Sequence, residues 1–218
     1  MRIMKDNKTK MNRGTLAGIV LAAGMSSRMG DFKPLMKVGG KPMIQRAVDM
    51  MQQAGASPIV VVTGRCAESL MAELKNEDVL FVHNTDYEHT QMFDSLLLGI
   101  HALPESAERI LMSPVDVPVI NRETVEKLLQ SPGMFVRPVF RGTPGHPAVF
   151  SRELISKMER YCGDFGMRGF LEENQINITD VAVDDMGIAF DADTMQDCIS
   201  VFLSKAPGRK CAISLALS

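Results

Sequence analysis

The sequence predicts an α/β protein, a three-layer α/β/α sandwich around a mostly parallel, Rossmann-like sheet. The first indication is that short apolar runs alternate with segments of helical period along most of the 218 residues, a pattern typical of parallel sheets covered on both faces. The second is that the first run is continuously apolar, as expected for a strand buried on both sides. The third is that polar or glycine-containing segments follow several predicted strands, where α/β proteins bind ligands.

The first half of the chain contains the more regular alternation. Residues 16–21 predict a buried strand, which is followed by a long loop over 22–42. Apolar positions 44, 47, 48 and 51 follow a helical period, and Gly55 supplies the stop for that helix. The other elements predicted in this half are strands at 59–63, 79–83 and 109–113 and helices at 67–75 and 93–102.

The second half is less regular, but it predicts the same kind of elements. Asn121 has the residue type of an N-cap for a helix that continues to Gln130. The elements predicted after it are strands at 134–139, 147–150 and 178–183 and helices at 152–161, 166–174 and 194–203. Neither an internal repeat nor a linker divides the chain, so we expect a single domain over 16–205. Residues 1–15 predict a disordered basic tail, and residues 206–218 predict a second tail.

Composition excludes several classes of function. The net charge of −2 provides no overall field that would attract nucleic acid or an anionic membrane, so any phosphate site must be local. No apolar run approaches the ~20 residues needed to cross a bilayer, and the first residues lack the apolar core of a signal peptide. The four cysteines lack metal-ligand spacing. We therefore expect a reduced, cytoplasmic protein with no nucleic-acid or membrane partner.

The loop after the first strand has the composition of a phosphate-binding loop. Small residues allow the backbone to approach a ligand, hydroxyl groups donate hydrogen bonds, and two cations neutralise phosphate. The candidate residues are Leu21, Ala22, Ala23, Gly24, Ser26, Ser27, Arg28 and Lys33. The loop is not a P-loop, because five residues separate Gly24 from Gly30 and Asp31 follows, and G-x-G-x-x-G is absent. On composition alone, an ordinary surface loop is an alternative.

Longer motifs in this region carry a family resemblance. Residues 21–30 (LAAGMSSRMG), 33–35 (KPL) and 40–44 (GKPMI) closely resemble the signature of the nucleotidyltransferase superfamily. Within it, the chain is most similar to the MobA-like branch, which contains molybdenum cofactor cytidylyltransferase and guanylyltransferase. The likeness runs from residue 16 to residue 203. It implies a fold like that of nucleotide-diphospho-sugar transferases and a loop that wraps the triphosphate. It also implies that Arg28 and Lys33 help pyrophosphate to leave.

A candidate metal ligand, Asp116, follows a predicted strand in the segment 114–118 (PVDVP). A carboxylate at the end of a strand is well placed for Mg²⁺, which prefers oxygen ligands and bridging phosphates. An aspartate in a proline-containing segment is also a common turn residue. The resemblance favours the metal role, because the metal-binding aspartate of the family occupies this D-x-P.

A second acidic segment lies near the end of the chain. In the family it reads D-x-D-T-P-E-D and supplies the second metal contact, whereas this sequence has Met195-Gln196 in place of Pro-Glu. The resemblance implies that Asp191 is the second ligand. Asp193 competes for that role and has the residue type of an N-cap for the last helix.

Further candidates for binding the nucleotide or its acceptor follow other strands. Thr63 and Asn84 come directly after or at the end of predicted strands, where ligands bind in parallel sheets. Met92 and Ser95 fit a family turn that contacts base and ribose, although Gln91 replaces its usual glycine. A helix start would explain these residues equally well. His146, in the Gly-His-Pro of 145–147, resembles an acceptor-binding segment, but it also fits an exposed loop.

The resemblance implies a Mg²⁺-dependent transfer of NMP from an NTP to a phosphorylated acceptor. Ala22-Ala23 favours CTP over GTP, because the guanylyl branch carries Leu-Ala-Gly-Gly at this point. The implied acceptor is molybdopterin, and a molybdoenzyme would receive the product. The alternatives are a sugar-1-phosphate or alcohol-phosphate nucleotidyltransferase and a non-catalytic accessory protein that binds nucleotide or cofactor. A dinucleotide-dependent oxidoreductase is disfavoured because its glycine fingerprint is missing.

Overall fold

A computed structural model describes residues 15–24 and 32–189 of the chain. The strands in that part are β1 (Thr15–Ala22), β2 (Lys37–Val38), β3 (Lys41–Pro42), β4 (Ile59–Thr63), β5 (Leu80–His83), β6 (Ala107–Pro114), β7 (Phe135–Phe140), β8 (Thr143–Pro144), β9 (Ala148–Ser151) and β10 (Ile178–Ala182). The helices are α1 (Met43–Gln53), α2 (Ala67–Glu73), α3 (Met92–His101), α4 (Arg122–Gln130), α5 (Ile155–Met158) and α6 (Gly166–Glu173). Short 3-10 turns lie at Lys33–Leu35, Arg152–Leu154 and Met186–Ala189.

Eight of these strands form one sheet in the order β10-β7-β9-β6-β1-β4-β5, with β8 paired to β7. Strand β9 runs antiparallel to both of its neighbours, and β8 runs antiparallel to β7. Every other neighbouring pair is parallel. The mostly parallel sheet expected from the sequence is therefore confirmed, and β6, β1, β4 and β5 end at the same edge.

The sheet separates two apolar cores, and successive residues of β1 alternate between them. Ile19 and Leu21 pack into a core with α3, α5 and α6, whereas Val20 and Ala22 pack into a core with α1, α2 and α4. Successive side chains of a strand point to opposite faces. The continuously apolar run is therefore the consequence of helices on both faces, and the three-layer architecture is confirmed.

Two sequence predictions are wrong in detail. The helix predicted at 152–161 is helical only to Met158, as a 3-10 turn at Arg152–Leu154 followed by the one-turn helix α5. The loop over 22–42 contains regular structure, because β2 and β3 pair as a hairpin. Gly39 and Gly40 have φ values of 59° and 81°, and two successive residues of positive φ make a tight hairpin turn that glycine tolerates without strain.

The buried carboxylate of Asp185 ties two loops together. The side chain is 1% exposed, and its Oδ2 accepts hydrogen bonds from the backbone N–H of Asn121 at 2.7 Å and from Thr124 Oγ1 at 2.8 Å. Its Oδ1 accepts from the N–H of Gly187 at 3.1 Å. Asn121 does occupy the N-cap position of α4, but its side chain makes no capping bond. Asp185 instead holds the start of α4 against the turn at Met186–Ala189.

Several predictions fall on residues outside 15–24 and 32–189. These are the tail at 1–15 apart from Thr15, the tail at 206–218, the last helix at 194–203, and the side chains of Ser26, Ser27, Arg28, Asp191 and Asp193. They stay predictions, as does the end of the domain at 205. The tail prediction is wrong for Thr15, which is the first residue of β1. Among the residues that the structure does describe, no helix is both long and apolar enough to cross a membrane.

Replacement of Asp185 by alanine should lower the free energy of unfolding by about 3 kcal/mol, because the buried donors around it lose a charged acceptor. The matched control is Asp184→Ala, since Asp184 is exposed and its loss should cost less than about 0.5 kcal/mol. Urea denaturation followed by circular dichroism measures both values. Equal losses in the two variants would contradict the importance of the Asp185 network.

Candidate active site

The carboxyl ends of four parallel strands bring the candidate residues to one edge of the sheet. Neighbouring loops along this edge follow β6, β1, β4 and β5 in that order. Two backbone hydrogen bonds extend the pairing past the strand ends, from the N–H of Val115 to the carbonyl of Leu21 at 3.0 Å and from the N–H of Asn84 to the carbonyl of Thr63 at 2.8 Å. The loop that carries Asp116 is therefore held directly beside the loop that begins at Ala23.

A cavity of about 340 Å³ lies along this edge and holds much of the predicted nucleotide site. Of the predicted residues, its walls contain Leu21, Ala22, Ala23, Gly24, Lys33, Met92, Ser95 and Asp116. A Cβ at Gly24 would meet no atom of residues 15–24 and 32–189 within 4 Å. Among these residues, no packing contact therefore requires glycine at this position, and the missing side chain leaves space in the cavity wall for a ligand. We call this cavity the nucleotide cavity.

A second cavity of about 640 Å³ adjoins the first. Its walls are largely apolar, with Phe93 from α3, Phe135 from β7 and Phe165 at the rim, where 77% of that residue is exposed. The cationic side chains of Arg137 and Arg168 also line it. Apolar walls with a few polar groups are typical of sites for small organic ligands. We call this space the acceptor cavity.

Asp116 stands in the wall that the two cavities share. The residues common to both linings are Leu21, Gln91, Met92, Pro114 and Asp116. Asp116 is the only acidic residue among them, and it borders both cavities. Its place at the junction, two residues beyond β6, agrees with the sequence prediction that it follows a strand end.

Asp116 is the only predicted metal ligand within the described residues. A carboxylate at the junction of two cavities has the donor chemistry that a hard divalent cation requires. Among residues 15–24 and 32–189, no group of three or more His, Cys, Asp or Glu side chains could hold a metal ion. A complete site therefore needs oxygen ligands from elsewhere in the chain, from substrate or from water, as Mg²⁺ commonly does.

Thr63 and Asn84 lie at the expected edge but line neither cavity. Thr63 is buried and donates a hydrogen bond to the carbonyl of Val82 at 3.3 Å. Asn84 is 2% exposed, and its Nδ2 donates to Thr90 Oγ1 at 2.8 Å and to Ser95 Oγ at 3.0 Å. These bonds assign both residues to positioning the surrounding loop. Ser95, which does line the nucleotide cavity, is held in place by Asn84.

His146 lines the acceptor cavity and is not an exposed loop residue. Its backbone N–H donates to the carbonyl of Ile188 at 2.8 Å. The buried Nδ1 of its side chain has no hydrogen-bond partner in the described part of the chain. A Cβ on the preceding Gly145 would collide with the same carbonyl of Ile188. Gly145 is therefore needed for the close approach that places His146. Burial lowers the pKa of His146 from 6.5 to about 4, so the imidazole is neutral at physiological pH.

Sequence reasoning missed several residues that line the cavities. Tyr87 and Glu88 line the nucleotide cavity from the loop after β5, while Arg137, Phe165 and Arg168 line the acceptor cavity. Arg137 is paired with Asp180 of the neighbouring strand at 2.7 Å. In the sequence, Arg137 is marked only as a charged residue within the predicted strand at 134–139. Phe165 is marked only as an aromatic residue between two glycines. Neither pattern identifies a ligand site without the fold.

The sheet edge, the glycine-containing loop and the carboxylate between two cavities define a nucleotidyltransferase-like α/β protein. Residues 18–178 match the family described as the MobA-like NTP transferase domain. The chain belongs to this family, as the sequence resemblance predicted. The observed mostly parallel sheet is the fold that this resemblance implied.

Two curated relatives show how far the likeness extends. The bifunctional protein GlmU of Syntrophotalea carbinolica is 35% identical over 121 residues, which is 55% of this chain but only 26% of that protein. The chain thus spans about a quarter of the length of this relative. Nicotine blue oxidoreductase of Paenarthrobacter nicotinovorans is 28% identical over 83% of this chain and 93% of that protein.

Among solved structures, Rv0371c of Mycobacterium tuberculosis H37Rv in complex with manganese is similar in fold. The TM-score is 0.73 at 22% identity, and the match covers 87% of this chain and 99% of that chain. This likeness supports the fold assignment.

The buried neutral state of His146 predicts a pH dependence of stability. The unfolded chain binds a proton near pH 6.5, whereas the folded protein does so only near pH 4. The stabilisation is therefore fully present above pH 6.5 and is lost as the pH falls to about 4. Between these values the wild type should lose up to about 3 kcal/mol more stability than His146→Gln.

Urea denaturation at a series of pH values, with the exposed His89→Gln as control, measures this difference. The other charged side chains that line the cavity, Asp116, Arg137 and Arg168, are present in all three proteins. Parallel pH profiles for the wild type and His146→Gln would contradict the buried neutral state.

Proposed function

We propose that this protein is a divalent-metal-dependent nucleotidyltransferase that transfers CMP from CTP to a phosphorylated acceptor and releases pyrophosphate. The observation that carries the proposal is the position of Asp116 in the wall between the nucleotide and acceptor cavities. Transfer of a nucleotidyl group requires the acceptor phosphate to meet the α-phosphorus in line, with the leaving group on the far side. Two adjoining cavities with a carboxylate between them provide that arrangement.

The residues of the first loop would bind and orient the triphosphate. Lys33 lines the nucleotide cavity, and its ammonium group would neutralise the charge that develops on pyrophosphate. Arg28 is proposed to share this task, and Ser26 and Ser27 to donate hydrogen bonds. An acceptor phosphate is already ionised at neutral pH, so the reaction needs positioning and charge neutralisation more than a general base.

Asp116 is proposed to hold the metal ion, Mg²⁺, together with Asp191 or Asp193. When bound, such an ion supplies charge neutralisation at the α-phosphate and at the attacking oxygen. The manganese in the related structure of Rv0371c supports a divalent-ion requirement. The protein's own contribution is to fix Asp116 at the junction through the β6 and β1 backbone pairing.

The acceptor cavity favours molybdopterin as the acceptor over a sugar phosphate. Its aromatic and aliphatic walls fit a planar heteroaromatic ring, whereas a sugar would leave many hydroxyl groups without partners. The neutral His146 would donate or accept a hydrogen bond at the edge of such a ring. Sugar-1-phosphates or alcohol phosphates remain the alternative acceptors within the family, and a molybdoenzyme is the proposed recipient of the product. The proposed location is the cytoplasm.

The likeness to nicotine blue oxidoreductase over most of both chains favours a second candidate, an oxidoreductase. The missing G-x-G-x-x-G pattern disfavours a dinucleotide cofactor bound in the usual way. Calorimetric titration of NADH and NADPH beside CTP decides between the two candidates. Tighter binding of either dinucleotide than of CTP with Mg²⁺ would favour the oxidoreductase.

The test of the main proposal is a transfer assay with purified protein, Mg²⁺ and CTP, GTP, ATP or UTP in turn. Pyrophosphate release and product mass are measured with molybdopterin, N-acetylglucosamine 1-phosphate or methylerythritol phosphate as acceptor. We expect release that depends on both CTP and molybdopterin. Turnover only with another acceptor would keep the reaction class and replace the acceptor. CTP that binds but is never cleaved would instead favour the non-catalytic accessory protein.

Replacement of Asp116 by asparagine should reduce transfer by at least about 100-fold while the fold is retained, because the residue lies at a surface edge and not in a core. The exposed Asp78→Asn serves as the matched control. Calorimetric titration of Mn²⁺ in the presence of CTP gives an independent measure of metal binding. Near-normal turnover in Asp116→Asn would show that the metal assignment is wrong.

Replacement of Lys33 by alanine should weaken CTP binding about ten-fold and CDP binding much less, since the ammonium group is proposed to neutralise the leaving pyrophosphate. Calorimetry with both nucleotides measures the ratio. Lys37→Ala is the control, because Lys37 is exposed and lines neither cavity. Equal weakening of the two nucleotides by Lys33→Ala would exclude a role at the leaving group.

A further inference from the structure

An acidic side chain, Glu88, lines the nucleotide cavity. A carboxylate in the wall of a site for a triphosphate repels the ligand unless it meets a cation, as proposed for Asp116, or a hydrogen-bond donor, because like charges a few ångströms apart are destabilising. In a nucleoside triphosphate, the base can carry such a donor far from the phosphates. We propose that Glu88 selects cytosine by accepting a hydrogen bond from its exocyclic amine. This inference rests on the proposed nucleotidyltransferase function. It adds the residue that distinguishes cytosine from uracil.

Glu88 lines the nucleotide cavity from a different loop than the residues proposed to face the phosphates. Glu88 belongs to the loop after β5, whereas Gly24 follows β1 and Asp116 follows β6. In the sheet order β6-β1-β4-β5, the loop with Glu88 starts at the strand farthest from β6. A nucleotide whose phosphates lie against Gly24 and Asp116 would place its base against the wall that contains Glu88.

The loop that carries Glu88 is held by internal hydrogen bonds. Asn84 Oδ1 accepts from the N–H of Asp86 at 3.1 Å, and Asn84 Nδ2 donates to Thr90 Oγ1. Thr90 Oγ1 donates to the carbonyl of Asp86 at 3.0 Å, which also accepts from the N–H of His89 at 3.0 Å. Glu88 thus projects from a turn that is ordered before the ligand arrives, which reduces the entropy lost on binding.

Close packing places the neighbouring Tyr87 against the end of β4. A Cβ on Gly64 would approach Tyr87 Cβ to 2.8 Å and the carbonyl of Ala23 to 2.7 Å, so only glycine leaves room for this ring beside the first loop. The Tyr87 hydroxyl donates to Glu88 Oε1 at 3.3 Å. That bond orients the carboxylate and leaves Oε2 to accept from the ligand.

The chemistry at position 4 of the pyrimidine ring distinguishes the two candidate nucleotides. Cytosine carries an amine there, which donates to a carboxylate, whereas uracil carries a keto oxygen, which the carboxylate repels. The two nucleotides are otherwise close in size and charge. A carboxylate at this point therefore favours CTP and disfavours UTP, whereas a neutral glutamine amide can donate to the keto oxygen of uracil.

The experiment is calorimetric binding of CTP and UTP to the full chain and to Glu88→Gln, each with and without Mg²⁺. Asp86→Asn is the matched control, because Asp86 is an exposed carboxylate in the same loop that does not line the cavity. We expect the wild type to prefer CTP and Glu88→Gln to shift the CTP-to-UTP affinity ratio towards UTP by about ten-fold. Asp86→Asn should leave the ratio unchanged, and thermal melting checks the fold of both variants.

The outcomes separate this inference from the proposed function. An unchanged ratio in Glu88→Gln, in a protein that binds nucleotides, would overturn the role of Glu88 alone. An equal shift in Asp86→Asn would also overturn it, by assigning the effect to loop charge. A shift that disappears without Mg²⁺ would overturn it in favour of metal binding. Failure of the wild type to bind any of these nucleotides would overturn both the proposed function and the assignment of Glu88.

Discussion

The backbone pairing between β1 and β6 is the interaction on which the candidate site depends. These strands are parallel from Leu16 to Leu21, and the pairing continues one residue further, where the N–H of Val115 donates to the carbonyl of Leu21. Since both strands end together, the loop with Asp116 lies beside the loop that begins at Ala23. The same edge continues through β4 to β5, which adds the loop with Glu88. A shift of one residue in the register would move Asp116 away from both cavities.

The sheet fixes only the first residues of each loop at its edge. Buried polar side chains hold the rest of two such loops in place. Asp185 connects the start of α4 to the turn at Met186–Ala189, and Asn84 connects the loop after β5 to Ser95 of α3. Buried polar groups are costly unless they are fully hydrogen-bonded. Asp185 and Asn84 therefore each strongly favour one arrangement of the loop that they hold. These two side chains therefore shape the site although they line neither cavity.

The charge distribution along the edge fits a ligand that is anionic at one end and neutral at the other. Lys33 and Gly24 line the nucleotide cavity from the first loop, whereas Glu88 lines it from the loop after β5. The acceptor cavity has apolar walls with Arg137 and Arg168. The net charge of −2 for the chain conceals this local separation, because charges far apart in sequence are brought together only by the fold.

The sequence alone determined the fold class, the strands of the main sheet other than β8, most helices and the loop after β1, because the hydrophobic period and a contiguous motif are local properties. It also indicated Asp116 by its place after a strand. The tertiary structure decided which side chains line the cavities: Glu88 and Arg168 do, whereas Thr63 and Asn84 face inward. It likewise buried Asp185 among its hydrogen-bond donors, and it left the buried Nδ1 of a neutral His146 without a partner in the described part of the chain. These roles depend on contacts between residues distant in sequence, and burial and solvation follow from such contacts rather than from the chain order.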